Sequence, residues 1–197
     1  MTRSIPIIPT VLVVAAAGVM LWLGFWQLGR ADEKAELIAD YERQSALTDV
    51  VDLEWLSDEF VYRKVRLQCD APKNWQAISG RNQEGRSGYA HRYLCRVEEF
   101  WDGPTQLTFA DIGWSNSPQE PEFAGSVVEG VLVKLGDGYK IVADPALAGL
   151  EPLAKPDPND LPNNHLAYAG QWFFFALTAL VIYGFALKSR AAKRRED

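Results

Sequence analysis

Histidine and cysteine are scarce here, with two of each among 197 residues. A structural zinc centre takes four such ligands. His91 and Cys95 have an even separation and would share one face of a strand. They have too few companions in the sequence to build a copper or zinc site. A Ser-His-Asp apparatus would have to use His91, because His165 stands at the edge of an apolar run. No nucleophile-elbow glycine pattern and no carboxylate pair accompanies it. No helix-length segment follows Gly85-Arg86-Ser87-Gly88, which removes it as a phosphate loop. Positive charge is also short, with 20 Lys+Arg against 26 Asp+Glu and a net charge of -6. That balance argues against nucleic acid as a partner. Enzyme chemistry finds little footing in this composition, and the expectation is that the chain is not an enzyme.

Charge is absent altogether from two stretches. Ser4 to Gly29 is 26 residues without a charged side chain, and Leu166 to Leu187 is 22 more. A transmembrane helix needs about 20 apolar residues, so both stretches qualify as spans. The first is too long for the ~7–15-residue apolar region of a signal peptide, and its small residues lie mid-run, so an uncleaved anchor is expected.

The positive residues beside the spans set the orientation. Arg3 precedes the first, and Lys188, Arg190, Lys193, Arg194 and Arg195 follow the second. Both termini are therefore expected in the cytoplasm and the middle of the chain outside the inner membrane. No Arg-rich amphipathic presequence precedes the first span, which favours a bacterial plasma membrane over a mitochondrial precursor. The expected organisation is a first span within 1–29, an extracytoplasmic domain at 30–162, a second span at 163–188 and a basic tail at 189–197. The lipid bilayer is thus one partner.

Ala31 to Gln44 is charged and helix-prone, with Leu37, Ile38 and Tyr41 at helical spacing. Beyond it the texture changes. Val65, Leu67 and Cys69 alternate with polar neighbours, a half-buried strand pattern. Asn74–Ser79, Tyr89–Phe100, Gln106–Trp114, Ser126–Leu135 and Tyr139–Asp144 read as further strands, with a hairpin signal at Gly136-Asp137-Gly138. No helix separates them, so the sheet is expected to be mainly antiparallel, in a small sandwich or open barrel of about five to seven strands. The fold class is α+β, with two transmembrane α-helices flanking the β domain. Cys69 and Cys95 can pair in an oxidising compartment or remain two core thiols. Asp144 to Pro162 holds five prolines and reads as a stiff, extended lead back to the membrane.

Two stretches combine unusual residues with a membrane edge. In Pro162-Asn163-Asn164-His165-Leu166-Ala167-Tyr168-Ala169-Gly170-Gln171-Trp172-Phe173, His165 marks the point where water gives way to lipid. At 100° per residue, Tyr168, Ala169, Trp172, Ala176, Ala179 and Tyr183 fall within about 60° of His165. The alanines allow close approach of another helix or of a flat ligand. Phe173, Phe174, Leu177 and Leu180 point elsewhere and can face lipid. A neutral imidazole here suits haem iron as an axial ligand, and it equally suits an interfacial hydrogen bond. The second stretch is Leu23-Gly24-Phe25-Trp26-Gln27-Leu28-Gly29-Arg30. Trp26 and Arg30 fit an aromatic belt with a snorkelling arginine, whereas Gln27 needs a partner, either the other helix or a ligand. Topology puts Trp26, Gln27, His165, Tyr168 and Trp172 in the same leaflet.

These two stretches resemble the surfeit-locus family of cytochrome oxidase assembly factors. Gly24-Phe25-Trp26-Gln27 with Arg30 looks like the family's amino-terminal Gly-x-Trp-Gln-x-x-Arg pattern. Asn163-Asn164-His165-Leu166, Tyr168-Ala169 and Gln171-Trp172-Phe173 look like its carboxy-terminal signature. Arg81, Gly85, Gly88 and Tyr89 match the loop before its central strands. Ile112-Gly113-Trp114 lacks the arginine of the family's Arg-Gly-Trp, and the proline expected near Leu94 to Arg96 is missing. The resemblance implies an assembly factor that helps place haem a in the catalytic subunit of a haem-copper oxidase. It implies His165 as a transient ligand of the haem iron; Tyr168 and Trp172 are then expected to pack on the macrocycle, and Gln27 and Trp26 to complete the pocket or dock the oxidase. The implied partners are the oxidase catalytic subunit and haem a synthase. The alternative is a haem-independent membrane chaperone of that subunit.

Overall fold

The computed structural model describes residues 6–70, 72–97 and 106–196, with side chains described up to residue 192. The chain divides into two compact units, one of Met1–Leu37 with Pro162–Asp197 and one of Ile38–Leu161. The end of the strand expected at Tyr89–Phe100, and the tail basic side chains Lys193, Arg194 and Arg195, lie outside the described residues, as does Arg3.

Two helices make the first unit, α1 (Ile7–Ser45) and α2 (His165–Glu196). Pro9 lies in the first turn of α1, where a missing N–H leaves no intrahelical bond unmade. At 39 residues, α1 runs about 58 Å at 1.5 Å per residue, about twice the thickness of a hydrocarbon core. The charged stretch Ala31–Gln44 thus continues the apolar helix without a break. Both helices are long and apolar enough to cross a membrane.

Small residues mark the face each helix buries. On α1 these are Ala17, Gly24 and Ala31, and on α2 Ala169 and Ala176. They recur every seventh residue, the spacing of a left-handed helix pair. The helices run antiparallel, and named contacts follow the seam along its length. Tyr183 Oη donates to Thr10 Oγ1 at 2.5 Å, because the threonine hydroxyl already donates to the Pro6 carbonyl at 2.8 Å. Phe173 packs edge-on against Phe25, with ring centroids 5.3 Å apart. Phe174 and Leu177 are exposed as expected, but Phe173 corrects the lipid-facing reading. Its ring lies over Gly24, where any Cβ would collide with it. The missing side chain opens the notch that the ring fills.

The second unit is built on one seven-stranded sheet in the order β1-β2-β6-β7-β5-β4-β3. The strands are β1 (Val51–Asp52), β2 (Lys64–Asp70), β3 (Lys73–Arg81), β4 (Ser87–Val97), β5 (Gln106–Ser115), β6 (Gly125–Leu135) and β7 (Gly138–Ala143). Pairing is antiparallel except for β1 with β2 and β5 with β7. The mainly antiparallel expectation therefore holds, with β7 inserted beside β5 in parallel. Gly136 takes φ +59 in the two-residue β6–β7 turn, a conformation that glycine adopts without a Cβ penalty.

Alternation on β2 buries Val65, Leu67 and Cys69. They join Tyr93, Cys95 and Ile112 in one core cluster. A disulfide links Cys69 of β2 to Cys95 of β4, with Cα atoms 5.1 Å apart. β2 and β4 are not neighbours in the sheet, so it must curl until these strands meet. That makes an open barrel rather than two stacked sheets. A second cluster on the other face includes Val61, Tyr62, Ala90, Trp114 and Leu153, with Tyr41 packed against it. Tyr41 comes from the last turns of α1 and lies 4.9 Å from the Tyr62 ring centroid.

The proline-rich return is more than a spacer. Trp114 and Glu151 exchange backbone hydrogen bonds of 2.7 and 3.0 Å, and the Ala154 N–H donates to the Arg81 carbonyl at 2.9 Å. The segment thus pairs with the free end of β5 and then with the end of β3. Prolines at 145, 152 and 156 leave these donors intact, because none of them stands where a donor is used; Pro152 takes part through its carbonyl, which accepts from the Gln83 N–H at 3.3 Å.

Candidate functional site

The site is assembled at the entry to α2. Asn164 carries the first helical acceptor, its carbonyl receiving the Tyr168 N–H at 3.2 Å. His165 therefore occupies the first full position of the helix. One residue earlier, Asn163 Nδ2 donates to the Ala31 carbonyl of α1 at 3.3 Å. Its Oδ1 is buried without a partner among the described residues. His165 Nδ1 lies 2.7 Å from Gln27 Oε1. Gln27 is on the α1 seam, midway between the buried Gly24 and Ala31. Asn163–Ala31 and His165–Gln27 thus form a polar layer across the two helices, above an apolar seam. Gln27 finds the partner its amide needs, on the facing helix.

The aromatic candidates are placed differently. Trp26 and Tyr168 are about half exposed. Trp172 is partly buried, with its ring edge-on to Phe175 at 6.2 Å between centroids. Of the five site residues expected from sequence, the structure brings His165 and Gln27 into hydrogen-bond contact. Asn163 and Phe173 were not singled out for these contacts. The sevenfold spacing of Ala17, Gly24 and Ala31 was the available signal that this face of α1 meets another helix.

The family model described as "SURF1 family" matches residues 14–177, which takes in most of α1, the whole sheet and the first part of α2. The chain belongs to the SURF1 family. This is the surfeit-locus family of cytochrome oxidase assembly factors, and membership implies a role in cytochrome c oxidase assembly. The family is one of assembly factors, not known enzymes. The two long apolar helices, taken with SURF1 membership, fit a membrane location. A search of curated proteins returned no match.

The sheet domain of this SURF1 chain contains the other histidine. His91 is 1% exposed and stacks beside Trp75, with ring centroids 6.1 Å apart. Trp75 Nε1 donates to His91 Nδ1 at 3.4 Å, and His91 Nε2 lies 2.8 Å from Ser115 Oγ. The Ser115 hydroxyl donates to the Ser117 carbonyl at 2.8 Å. His91 therefore donates to the serine and does not draw a proton from it. That is the reverse of a nucleophile–base pair. Burial pushes the His91 pKa down, consistent with a neutral ring held by two hydrogen bonds.

A second buried polar group lies next to a bulge. The β4–β5 register jumps from His91↔Gly113 to Arg92↔Asp111, leaving Ile112 as the extra residue. Arg92 grips Asp111 with two bonds of 2.5 and 3.0 Å, and Lys140 adds a third at 2.8 Å. The Asp111 side chain is 2% exposed. A bidentate arginine and a lysine satisfy the carboxylate, and Arg92 also covers the Phe109 ring at 5.2 Å. This arrangement ties β4, β5 and β7 together where the pairing is irregular.

Proposed function

We propose that the protein assists the insertion of haem a into the catalytic subunit of a haem-copper oxidase, carrying haem as transient cargo. Membership in a family of oxidase assembly factors supports the destination. The observation that carries the cargo role is His165 at the entry to α2. Its Nδ1 is engaged by Gln27, and its Nε2 has no hydrogen-bond partner among the described residues. An imidazole nitrogen with a free lone pair is the donor that haem iron accepts. One such donor suits a carrier, which must release what it holds. Tyr168 and Trp172 then pack on the macrocycle, and Trp26 helps to complete the pocket or to dock the oxidase. Haem a synthase is the partner that would supply the cargo.

The same reading places the protein in a bacterial inner membrane, with both termini cytoplasmic and the sheet domain periplasmic. The Cys69–Cys95 disulfide supports this side, since such bridges persist in oxidising compartments. The test is co-expression with a haem a biosynthesis pathway, followed by the haemochrome spectrum of the purified protein. Haem a is expected in the wild type and is expected to be lost in His165→Ala. Unchanged stoichiometry and spectrum in that variant would refute the ligand role.

One observation favours a second reading, a haem-independent chaperone of the catalytic subunit. Trp22, Phe25, Trp26 and Tyr168 turn large aromatic surfaces outward, at 65%, 65%, 50% and 53% exposure. Aromatic surface of that extent can pack on another membrane subunit as readily as on a macrocycle. Purified protein that lacks haem yet still captures the oxidase subunit would select this reading.

A further inference from the structure

We infer that Gln27 is a positioning residue: it holds His165 in the Nδ1–H tautomer, so that Nε2 is presented as a bare lone pair. The use of that lone pair rests on the carrier reading above, while the tautomer itself does not. Gln27 presents its carbonyl oxygen to Nδ1 at 2.7 Å. A carbonyl oxygen can only accept, so Nδ1 must carry the proton. In a neutral imidazole the other nitrogen is then unprotonated. Nε2 has no partner among the described residues, and it is absent from the buried unpartnered atoms. It is therefore not fully buried, and its lone pair is not taken up by a donor among the described residues. The backbone around the pair is fixed independently, since Asn163 anchors the entry of α2 to the Ala31 carbonyl of α1 at 3.3 Å.

The chain contains its own control. His91 is held in the opposite tautomer. An indole N–H can only donate, so Trp75 makes His91 Nδ1 the acceptor and puts the proton on Nε2, which faces Ser115 Oγ at 2.8 Å. Both His91 nitrogens are engaged, and the ring is 1% exposed. Among the described residues, only one His165 nitrogen is engaged. Fixing a histidine by a hydrogen bond to its far nitrogen is how metal-binding imidazoles are oriented and made more basic. Gln27 occupies that place with respect to His165.

The experiment uses full-length protein in detergent, labelled with 15N-histidine and observed near pH 8, above the ordinary histidine range. Two histidines give two spin systems, and His165→Ala assigns them. The expected result is a pyrrole-like Nδ1 and a pyridine-like Nε2 for His165, with the reverse for His91. Gln27→Leu should shift His165 toward the Nε2–H form while the His91 signals stay in place, which shows that the sheet domain is intact. The same variant should weaken binding of added haemin by about 10- to 100-fold, the usual cost of losing such a partner. Gln27→Glu keeps an acceptor at Nδ1 and should restore both tautomer and affinity. A wild-type His165 protonated on Nε2, or an unchanged tautomer in Gln27→Leu, overturns the inference. The expected tautomer in a wild type that does not bind haemin supports the positioning role and refutes the carrier reading.

Discussion

Removing the Cys69–Cys95 bridge is the sharpest test of the curled sheet. The disulfide joins residues 26 apart, in strands that are not sheet neighbours. In the chain-entropy description, a loop of that size restrains the unfolded chain by about 12 cal/mol/K, or about 3.5 kcal/mol at 25 °C. The unit from Ile38 to Leu161 has an expected unfolding entropy of roughly 260 cal/mol/K. The double variant Cys69→Ala with Cys95→Ala should therefore melt about 13 °C below the wild type. Alanine is the better replacement, because both sulfurs are buried and serine would add hydroxyls without partners. The assay is tryptophan fluorescence on heating the full-length protein in detergent. Alkylation of the denatured, unreduced wild type should find no free thiol. A Tm change below about 3 °C, equivalent to under 1 kcal/mol, together with alkylated thiols would refute the bridge. The curl argued from it would fall as well.

Three further outcomes are expected. Gly24→Val sets side-chain carbon where the Phe173 ring lies, and such overpacking costs about 1–3 kcal/mol. The loss should appear as a lower Tm in detergent and be partly recovered when Phe173→Ala is added, a coupling that two unrelated sites would not show. Asp111→Asn leaves Arg92 and Lys140 without their shared anion. With side-chain exposures of 9% and 24%, a loss of about 3 kcal/mol is expected, the low end for a broken buried pair, read by denaturant unfolding. His91 is held below its ordinary value by burial, so the unfolded chain takes up the proton more readily. Its contribution to stability is full above about pH 6.5 and declines as pH falls through the folded value. His91→Gln should flatten the fall in Tm between about pH 7.5 and pH 5.

The strands were legible because each buries one face. Alternation at Val65, Leu67 and Cys69 and the glycines at 136 and 138 mark elements that the structure contains with small shifts at their ends. The insertion of β7 beside β5 was not legible, because strand alternation says which face is buried and nothing about which strand lies alongside. The disulfide was likewise one of two open readings, since pairing depends on a curl made by residues far apart in sequence. The proline-rich return misled because five prolines suggest an unpaired spacer, yet the bonded donors belong to Leu147, Glu151 and Ala154. At the helices, depth was legible: Gln27 and His165 were expected at one level, and they are in contact there. The direction of Phe173 was not legible, because an angular stripe drawn from His165 ignores the notch left by Gly24.

The character of the seam bears on where cargo could sit. Ala169 and Ala176 are each 1% exposed, and Phe173 fills the space over Gly24. The face that sequence alone left open to a helix or a flat ligand is thus largely used by helix packing. A macrocycle bonded to His165 Nε2 cannot slide down between α1 and α2 without separating residues that are already in contact. On the carrier reading, a macrocycle held by His165 would lie at the rim, near the exposed Tyr168 and Trp26. A rim position of that kind would suit transfer better than permanent retention, because His165 would hold the cargo where a receiving subunit could reach it. It also explains how the carrier and chaperone readings can use one surface: the outward aromatics that would flank the cargo are those a membrane subunit would meet first. Seam variants that leave the rim intact, such as Gly24→Val, should therefore lower stability more than haemin affinity. Gln27→Leu should do the opposite, and a parallel loss of both properties in both variants would place the cargo within the seam.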